Sequence, residues 1–243
     1  MNAIGHDSES PYYRQLYEIL RKDILERHRP AGELLPSESE LIDRYQVSRV
    51  TVRQAMDLLV QDGLVYRRRG LGTFVAAPKI EQGLTQIISF SEDMRRRGFQ
   101  AETAILSTNL LSASKEIAEK LGIIPGEEIA FLQRLRLADG DPLSIESSHL
   151  VHRHCPGVLE GDYAHNPLRE ALEYNYDLRL VRATQVIRAI AASEDQAQKL
   201  SIAPGSPLFF IERISYSQYD RPIEFLQLYH RGDRYTLYNE LRD

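Results

Sequence analysis

Hydrophobic positions along the first third of the chain change period, and each change predicts an element. From Pro11 to His28, Tyr12, Leu16, Ile19, Leu20, Ile24 and Leu25 recur at three- and four-residue spacing, one apolar face of an amphipathic helix. Pro30 and Gly32 then mark a connector that runs to Leu35. Ser37 stands three residues before Glu40, the spacing of a capping box, and predicts a short helix to Tyr45 anchored by Leu41 and Ile42. Gln46 and Val47 read as a turn. Ser48 reads as the N-cap of a second helix whose apolar stripe is Val52, Ala55, Met56 and Leu59. The period then falls to two: Leu64, Val65 and Tyr66, and Thr73, Phe74 and Val75, predict a hairpin with Arg67, Arg68, Arg69, Gly70, Leu71 and Gly72 between its strands.

Residues 76–84 lack periodicity and carry Pro78 and Gly83, so the expected division is 1–77 for a first domain, 78–88 for a linker and 89–243 for a second domain. Residues 87–94 read as a turn opening a short helix, capped by Ser89 or Ser91 and ended by Gly98. An internal repeat follows. Ser114 matches Ser193, Leu121 matches Leu200, Pro125-Gly126 matches Pro204-Gly205, Phe131 matches Phe210 and Arg134 matches Arg213, all 79 residues apart. Pro142 and Pro222 are 80 apart, which places a one-residue insertion in the second turn. Each copy reads as helix, Pro-Gly turn, long strand, tight turn and return strand. The strands before each helix, 102–111 and 178–191, complete the pattern. The expected fold class is α+β: one antiparallel sheet made of two related halves, flanked by helices.

The 243 residues suffice for two domains, with an ordinary apolar (42%) and charged (27%) content. No apolar run approaches 18 residues, and the first ten residues lack signal-peptide character and read as a frayed leader, so a cytoplasmic protein with no membrane partner is expected. Cys155 is alone, which excludes an internal disulfide and a cysteine-cluster zinc site. Residues 1–77 carry 11 basic and 11 acidic residues, and the remainder 19 and 24. Any affinity for nucleic acid therefore rests on where individual arginines sit rather than on a basic domain.

Two candidate sites follow. Two helices joined by a tight turn, with Arg49, Thr51 and Arg53 off the buried stripe at the start of the second, have the plan of a helix-turn-helix unit that inserts its second helix in the major groove. The arginines and glycines of the hairpin are suited to phosphate or a narrow minor groove. In the second domain Arg134 and Arg136 share one strand parity, and Glu146 lies across the Asp139-Gly140-Asp141 turn. Such a cluster suits a small anion bearing hydroxyls. A surface cross-strand ion pair is the equal alternative. The tail Tyr229, Arg231, Asp233, Arg234 and Tyr235 reads either as a cleft wall or as a well-bonded edge. His149, His152 and His154 have no acidic or cysteine neighbour at ligand spacing, so no metal, cofactor or catalytic residue is expected.

With LPSESEL, VSRVTVRQAMDLLVQDGLVYRRRGLGTFVA, IISFSEDMRRRG, RLRLADGDPLSIESSHL and YHRGDRYTL in view, the sequence resembles the GntR family of bacterial transcription regulators, of the HutC type, and within it repressors of N-acetylglucosamine utilisation. The resemblance implies an N-terminal winged helix-turn-helix domain and a C-terminal effector-binding and dimerisation domain of the UTRA, chorismate-lyase-like kind. It places DNA contacts at Ser48, Arg49, Thr51, Arg53, Arg68, Arg69, Gly70 and Gly72. Effector phosphate is assigned to Ser89, Phe90, Ser91, Arg134 and Arg136, with Arg169 also suited to an anion, and sugar to Glu146, Glu224, Tyr229 and Arg231. The chain departs from the family's pattern at Ser39 and at Asn166–Arg169. The implied protein is a homodimeric repressor on a pseudo-palindromic double-stranded operator, released by N-acetylglucosamine 6-phosphate or glucosamine 6-phosphate. Urocanate and trehalose 6-phosphate are the alternative effectors. A phosphosugar enzyme carrying a winged domain and a pure protein-interaction module are the rival classes.

Overall fold

The computed structural model describes residues 10–26, 29–68, 70–76 and 79–241 and divides into two compact units, 1–80 and 81–243. In the first, α1 (Tyr12–Glu26), α2 (Glu38–Tyr45) and α3 (Arg49–Gln61) precede a hairpin of β1 (Val65–Arg68) and β2 (Gly72–Val75). The α2 capping box forms: Ser37 Oγ accepts from the Glu40 N–H, and the Glu40 carboxylate accepts from the Ser37 N–H at 2.7 Å. Gln46 ends α2 in the left-handed region (φ 52°) and donates its N–H back to Ile42 O. Ser48 Oγ then caps α3 by accepting from the Thr51 N–H. These two caps fix where one helix stops and the next begins. One core results, with Leu16, Leu20 and Ile24 of α1 against Leu41, Val52, Ala55, Met56 and Leu59, closed below by Val65 and Val75.

The hairpin differs from expectation at its edges. Leu64 precedes β1, whereas Arg67, Arg68 and Gly72 lie within the ladder, Arg68 opposite Gly72. Exposed strand positions accept arginine as readily as valine, so the two-residue period broke before the pairing did. Gly72 has a φ of 121°, a backbone conformation that favours glycine, and a Cβ there would also press on Leu34 Cδ1 at 2.7 Å. Arg69 lies outside the described residues.

In the second unit β3 (Ile80–Gly83), a strand inside the expected linker, pairs with β10 (Tyr235–Tyr238), and α4 (Phe90–Arg96) follows. Then come β4 (Ala101–Ser112), α5 (Lys115–Leu121), β5 (Glu128–Ala138), β6 (Asp141–Val151), α6 (Leu168–Tyr176), β7 (Leu180–Ala191), α7 (Glu194–Leu200), β8 (Pro207–Ser217) and β9 (Pro222–Arg231). The six-stranded sheet has order β4-β5-β6-β9-β8-β7, antiparallel throughout. Each half is helix-bearing hairpin β4-α5-β5-β6 or β7-α7-β8-β9, and the halves meet where β6 pairs with β9. Ser114 and Ser193 cap α5 and α7 in the same way. The helices are exchanged between halves, α5 seated on β9 and α7 on β6. Leu121 and Phe225 share one cluster and Leu200 and Ile145 another. The core on this face therefore exists only when both halves are folded.

The tight turn between β5 and β6 is Asp139-Gly140, both at positive φ, as a two-residue hairpin loop requires. On the other side of the sheet, Leu168 and Leu172 of α6 pack with Ala130, Leu132 and Leu150. Between α4, α6 and this face the sheet is left partly uncovered, and that gap holds the candidate site.

Candidate functional site

A cavity of about 190 Å³ lies wholly within the second unit. Its floor is the sheet face formed by alternate residues of four strands: Arg134 and Arg136 of β5, Glu146 of β6, Arg213 and Ser215 of β8, and Glu224, Leu226, Leu228 and His230 of β9. Register explains the convergence, since Arg134 stands opposite Glu146, Glu146 opposite Leu228 and Ser215 opposite Glu224. The roof is residues 82–83 and 85–91 with Asp93 of α4 and Arg97, which ends that helix, and one wall is Leu168, Arg169 and Leu172 of α6. Five arginines and three carboxylates line the cavity, an excess of two positive charges.

The charged floor is buried, which removes the surface ion-pair reading. Arg136 donates from Nε to Glu146 at 2.7 Å and from a terminal nitrogen to Thr103 Oγ1 at 2.7 Å, and Phe90 stacks over its guanidinium. Arg134 reaches the same Glu146 oxygen and Ser148 Oγ, each at 3.1 Å, while its Nε is buried without a partner. Burial acts to raise the Glu146 carboxyl, but Arg136 and Arg134 outweigh it and hold the group down to about 2. The Arg134 guanidinium is lowered to about 10, first by burial and then by the like charge of Arg136. A single carboxylate is bonded to both arginines, and Glu224, farther along the floor, adds a weaker attraction on Arg134.

Ser89, Phe90, Ser91, Arg134, Arg136, Glu146, Arg169 and Glu224 all line the cavity. One of the two expected caps forms, and Arg169 is already bonded. The Ser89 hydroxyl caps α4 by accepting from the Glu92 N–H, so that backbone donor is already satisfied. Arg169 donates to the carbonyls of Ile87 and Leu180 and so straps the roof to the wall. Glu224 receives a hydrogen bond from Ser215 at 3.3 Å.

Tyr229 and Arg231 do not reach the cavity. Strand β9 alternates, and its even-numbered residues face inward. Tyr229 instead stacks on Phe210 and packs with α7, and Arg231 pairs with Asp141 and Asp233. The inward position is the neighbouring His230. Tyr235, from the tail read either as a cleft wall or as an edge, does line the pocket, whereas Arg213, Ser215 and His230 are polar floor residues that sequence reasoning left out. For Arg213 a signal existed, because it is the repeat partner of Arg134.

In the first unit Ser48, Arg49, Thr51 and Arg53 cluster at the start of α3, where both arginines are exposed. The Ser48 and Thr51 hydroxyls are 2.9 Å apart, and Ser48 Oγ accepts from the Thr51 N–H, which caps the helix. In the hairpin Arg68 lies over the rings of Tyr66 and Phe74, Arg67 pairs with Asp57 at 2.8 Å, and Gly70 forms the turn at φ 78°.

A helix-turn-helix with a wing, joined to a unit that encloses a charged cavity, is the architecture of a ligand-responsive DNA-binding regulator. A model of bacterial regulatory proteins of the gntR family matches residues 12–75, and a UTRA domain model matches residues 96–236. The HTH-type transcriptional repressor NagR of Bacillus subtilis (strain 168) is 36% identical over 233 residues, 96% of either chain. The probable fructoselysine utilization operon transcriptional repressor of Escherichia coli (strain K12) is 32% identical, over 98% of this chain and 97% of that one. The crystal structure of PhnF from Mycobacterium smegmatis is similar with a TM-score of 0.69 at 28% identity, covering 96% of this chain and 99% of that one. The chain belongs to the gntR family of bacterial regulators, with a UTRA domain as its second unit. Members of this family regulate transcription and are not enzymes. Among the described residues no three His, Cys, Asp or Glu side chains group as metal ligands, and no helix is long and apolar enough to cross a membrane.

Proposed function

We propose that the protein is a homodimeric repressor whose operator is released when a phosphorylated aminosugar, N-acetylglucosamine 6-phosphate or glucosamine 6-phosphate, occupies the cavity of the second unit. The observation that carries this reading is the buried pair Arg134 and Arg136, which share one carboxylate and leave positive charge enclosed beside Ser91 and Arg169. A phosphate dianion supplies the missing counter-charge, and charge-assisted bonds to guanidinium are about twice as strong as neutral ones. Glu224 and Ser215, farther along the floor, offer acceptors to sugar hydroxyls. One relative is named for fructoselysine utilization, so the aminosugar rests on the motifs quoted above and on this charge pattern.

For DNA, Arg49 and Arg53 at the start of α3 are assigned to base or phosphate contacts, and Arg68, Arg69, Gly70 and Gly72 to the wing. A single recognition helix reads few bases, so two copies on a pseudo-palindrome are required for specificity. Calorimetry with glucosamine 6-phosphate, N-acetylglucosamine 6-phosphate, the free sugars, fructoselysine, urocanate and trehalose 6-phosphate tests the ligand. At least a tenfold preference for an aminosugar phosphate over its free sugar is expected. Equal affinity for the two sinks the arginine assignment, and binding of urocanate alone moves the ligand to another class.

A further inference from the structure

The row of side chains that α3 turns outward does not stay basic. Arg49, Arg53 and Asp57 recur every four residues, clear of the buried stripe Val52, Ala55, Met56 and Leu59, so they stand one above another on a single exposed face. Asp57 continues the row that the two arginines begin, and a bare carboxylate there would face the same partner as they do. It is not bare: Arg67 of β1 reaches across and meets Asp57 Oδ1 at 2.8 Å. Strand parity sets up this contact. Val65 of β1 is buried in the core with the apolar stripe of α3, and Arg67, two residues on, leaves the strand on the same side. Arg68 leaves on the other side, where it lies over the rings of Tyr66 and Phe74. Of these two arginines of β1, one is turned outward and the other is held by the helix.

We propose that Asp57 is a specificity-determining residue of DNA binding: it holds Arg67 in an ion pair that persists on the duplex, and so withholds one positive charge from the phosphates. The inference rests on α3 being the recognition helix. Phosphate contacts form with any sequence alike, so each one withheld lowers sequence-independent binding. The pair also ties the hairpin to the helix, and the two then meet the duplex at one set spacing. A freed Arg67 is drawn to phosphate whether or not Arg49 and Arg53 have found their bases. Both partners sit on elements already packed together through Val65, so little freedom is lost in keeping the pair. With the Arg67 side chain 43% and that of Asp57 60% exposed, the pair adds little to folding stability, and its effect is felt on DNA. The equal number of basic and acidic residues over 1–77 fits a unit that restrains non-specific binding.

The test titrates the full-length wild type, Asp57→Asn, the double variant Asp57→Asn/Arg67→Gln and Arg53→Ala over a range of salt concentrations. The probes are a duplex from the region upstream of the protein's own gene and a random-sequence duplex of equal length. Each phosphate contact adds about 0.9 to the slope of log affinity against log salt. Asp57→Asn is expected to steepen the slope on the random duplex by about 0.9 and to bind it about threefold or more tightly, with a smaller gain on the upstream duplex. The double variant carries the same net charge as the wild type and is expected to return to its slope. All variants are expected to keep the wild-type melting temperature, so that a change in binding reports contact with DNA rather than folding. An unchanged slope in Asp57→Asn, or a double variant shallower than the wild type by about 0.9, overturns the proposal by showing that Arg67 already meets phosphate. An equal gain on both duplexes overturns it by showing that the pair carries no specificity. Undiminished binding of both duplexes by Arg53→Ala removes α3 as the recognition helix and the role of Asp57 with it. Weakened binding by Arg53→Ala beside an indifferent Asp57→Asn removes the role of the pair alone.

Discussion

At the scale of single residues, the account turns on charges that the fold has buried. Glu146 is the sole carboxylate directly bonded to Arg134 and Arg136, so removing its charge leaves two guanidinium groups enclosed without a counterion. Glu146→Gln is expected to cost about 3 kcal/mol of stability, the scale on which breaking one side of a buried pair is felt. Urea unfolding at pH 7 measures it, and a loss below about 1 kcal/mol would mean that water reaches the cluster. The pH dependence has a defined sign. Glu146 titrates near 2 when folded against an ordinary 4.5, so its contribution is present above about pH 4.5 and is lost as pH falls toward 2. His230 is lowered from 6.5 to about 4, so its contribution is present above 6.5 and is lost as pH falls through 4. Stability should therefore decline on acidification from pH 6.5, and His230→Phe should flatten the stretch between 6.5 and 4 by up to about 3 kcal/mol. Unfolding series at pH 7, 5.5 and 4.5 on both proteins decide this.

The DNA-facing arginines belong to the same scale. Arg49 and Arg53 are exposed and lie off the stripe of Val52, Ala55, Met56 and Leu59. Replacing either by alanine should leave the melting temperature within a degree or two and weaken operator binding by about 1 to 3 kcal/mol, with relaxed preference at one base pair. Anisotropy titrations against matched and single-mismatch duplexes provide the readout. Undiminished binding by both variants would mean that α3 is not the recognition helix.

At the scale of elements, the caps and the repeat were legible because they depend on local chemistry. Ser37 with Glu40 and Ser48 cap where the sequence placed them, and the repeat partners Ser114 and Ser193 prove to cap α5 and α7 alike. Parity likewise brought Arg134, Arg136 and Glu146 to one face. Parity was misapplied on β9, where the motif drew attention to Tyr229 and Arg231 although the inward series is Glu224, Leu226, Leu228 and His230. What no local pattern shows is which sheet face is covered by which helix, and that decides whether an ion pair is surface or buried. The exchange of α5 and α7 between halves is equally non-local, and it has a consequence. Leu200→Ala removes a fully buried side chain of α7 that packs with Ile145 of the other half. The loss should be about 2 to 5 kcal/mol and should appear as one transition of the whole second unit rather than melting of one half. A separate early transition would show that the halves fold independently. Arg169 gives the matching prediction for the roof: Arg169→Ala frees the carbonyls of Ile87 and Leu180, so amide exchange in residues 84–88 should accelerate while α6 keeps its protection.

At the scale of the whole molecule, the cavity roof at residues 82–83 and 85–91 lies in the second unit, shortly after the division at residues 80 and 81. In the proposed function, release needs only that ligand and operator prefer different states of the protein, a coupling of about 1 to 3 kcal/mol. By linkage the same coupling must appear when DNA is bound first: operator should weaken ligand binding by the factor with which ligand weakens operator binding. The most direct measurement is retention of a fluorescent duplex from the region upstream of the protein's own gene, titrated with glucosamine 6-phosphate and N-acetylglucosamine 6-phosphate for the wild type and Arg134→Ala. Wild-type protein should release the duplex, with its affinity falling between about 5- and 150-fold, while Arg134→Ala should bind the duplex as tightly and fail to release it. Release of both proteins alike, or of neither by any ligand that calorimetry shows to occupy the cavity, would contradict the account.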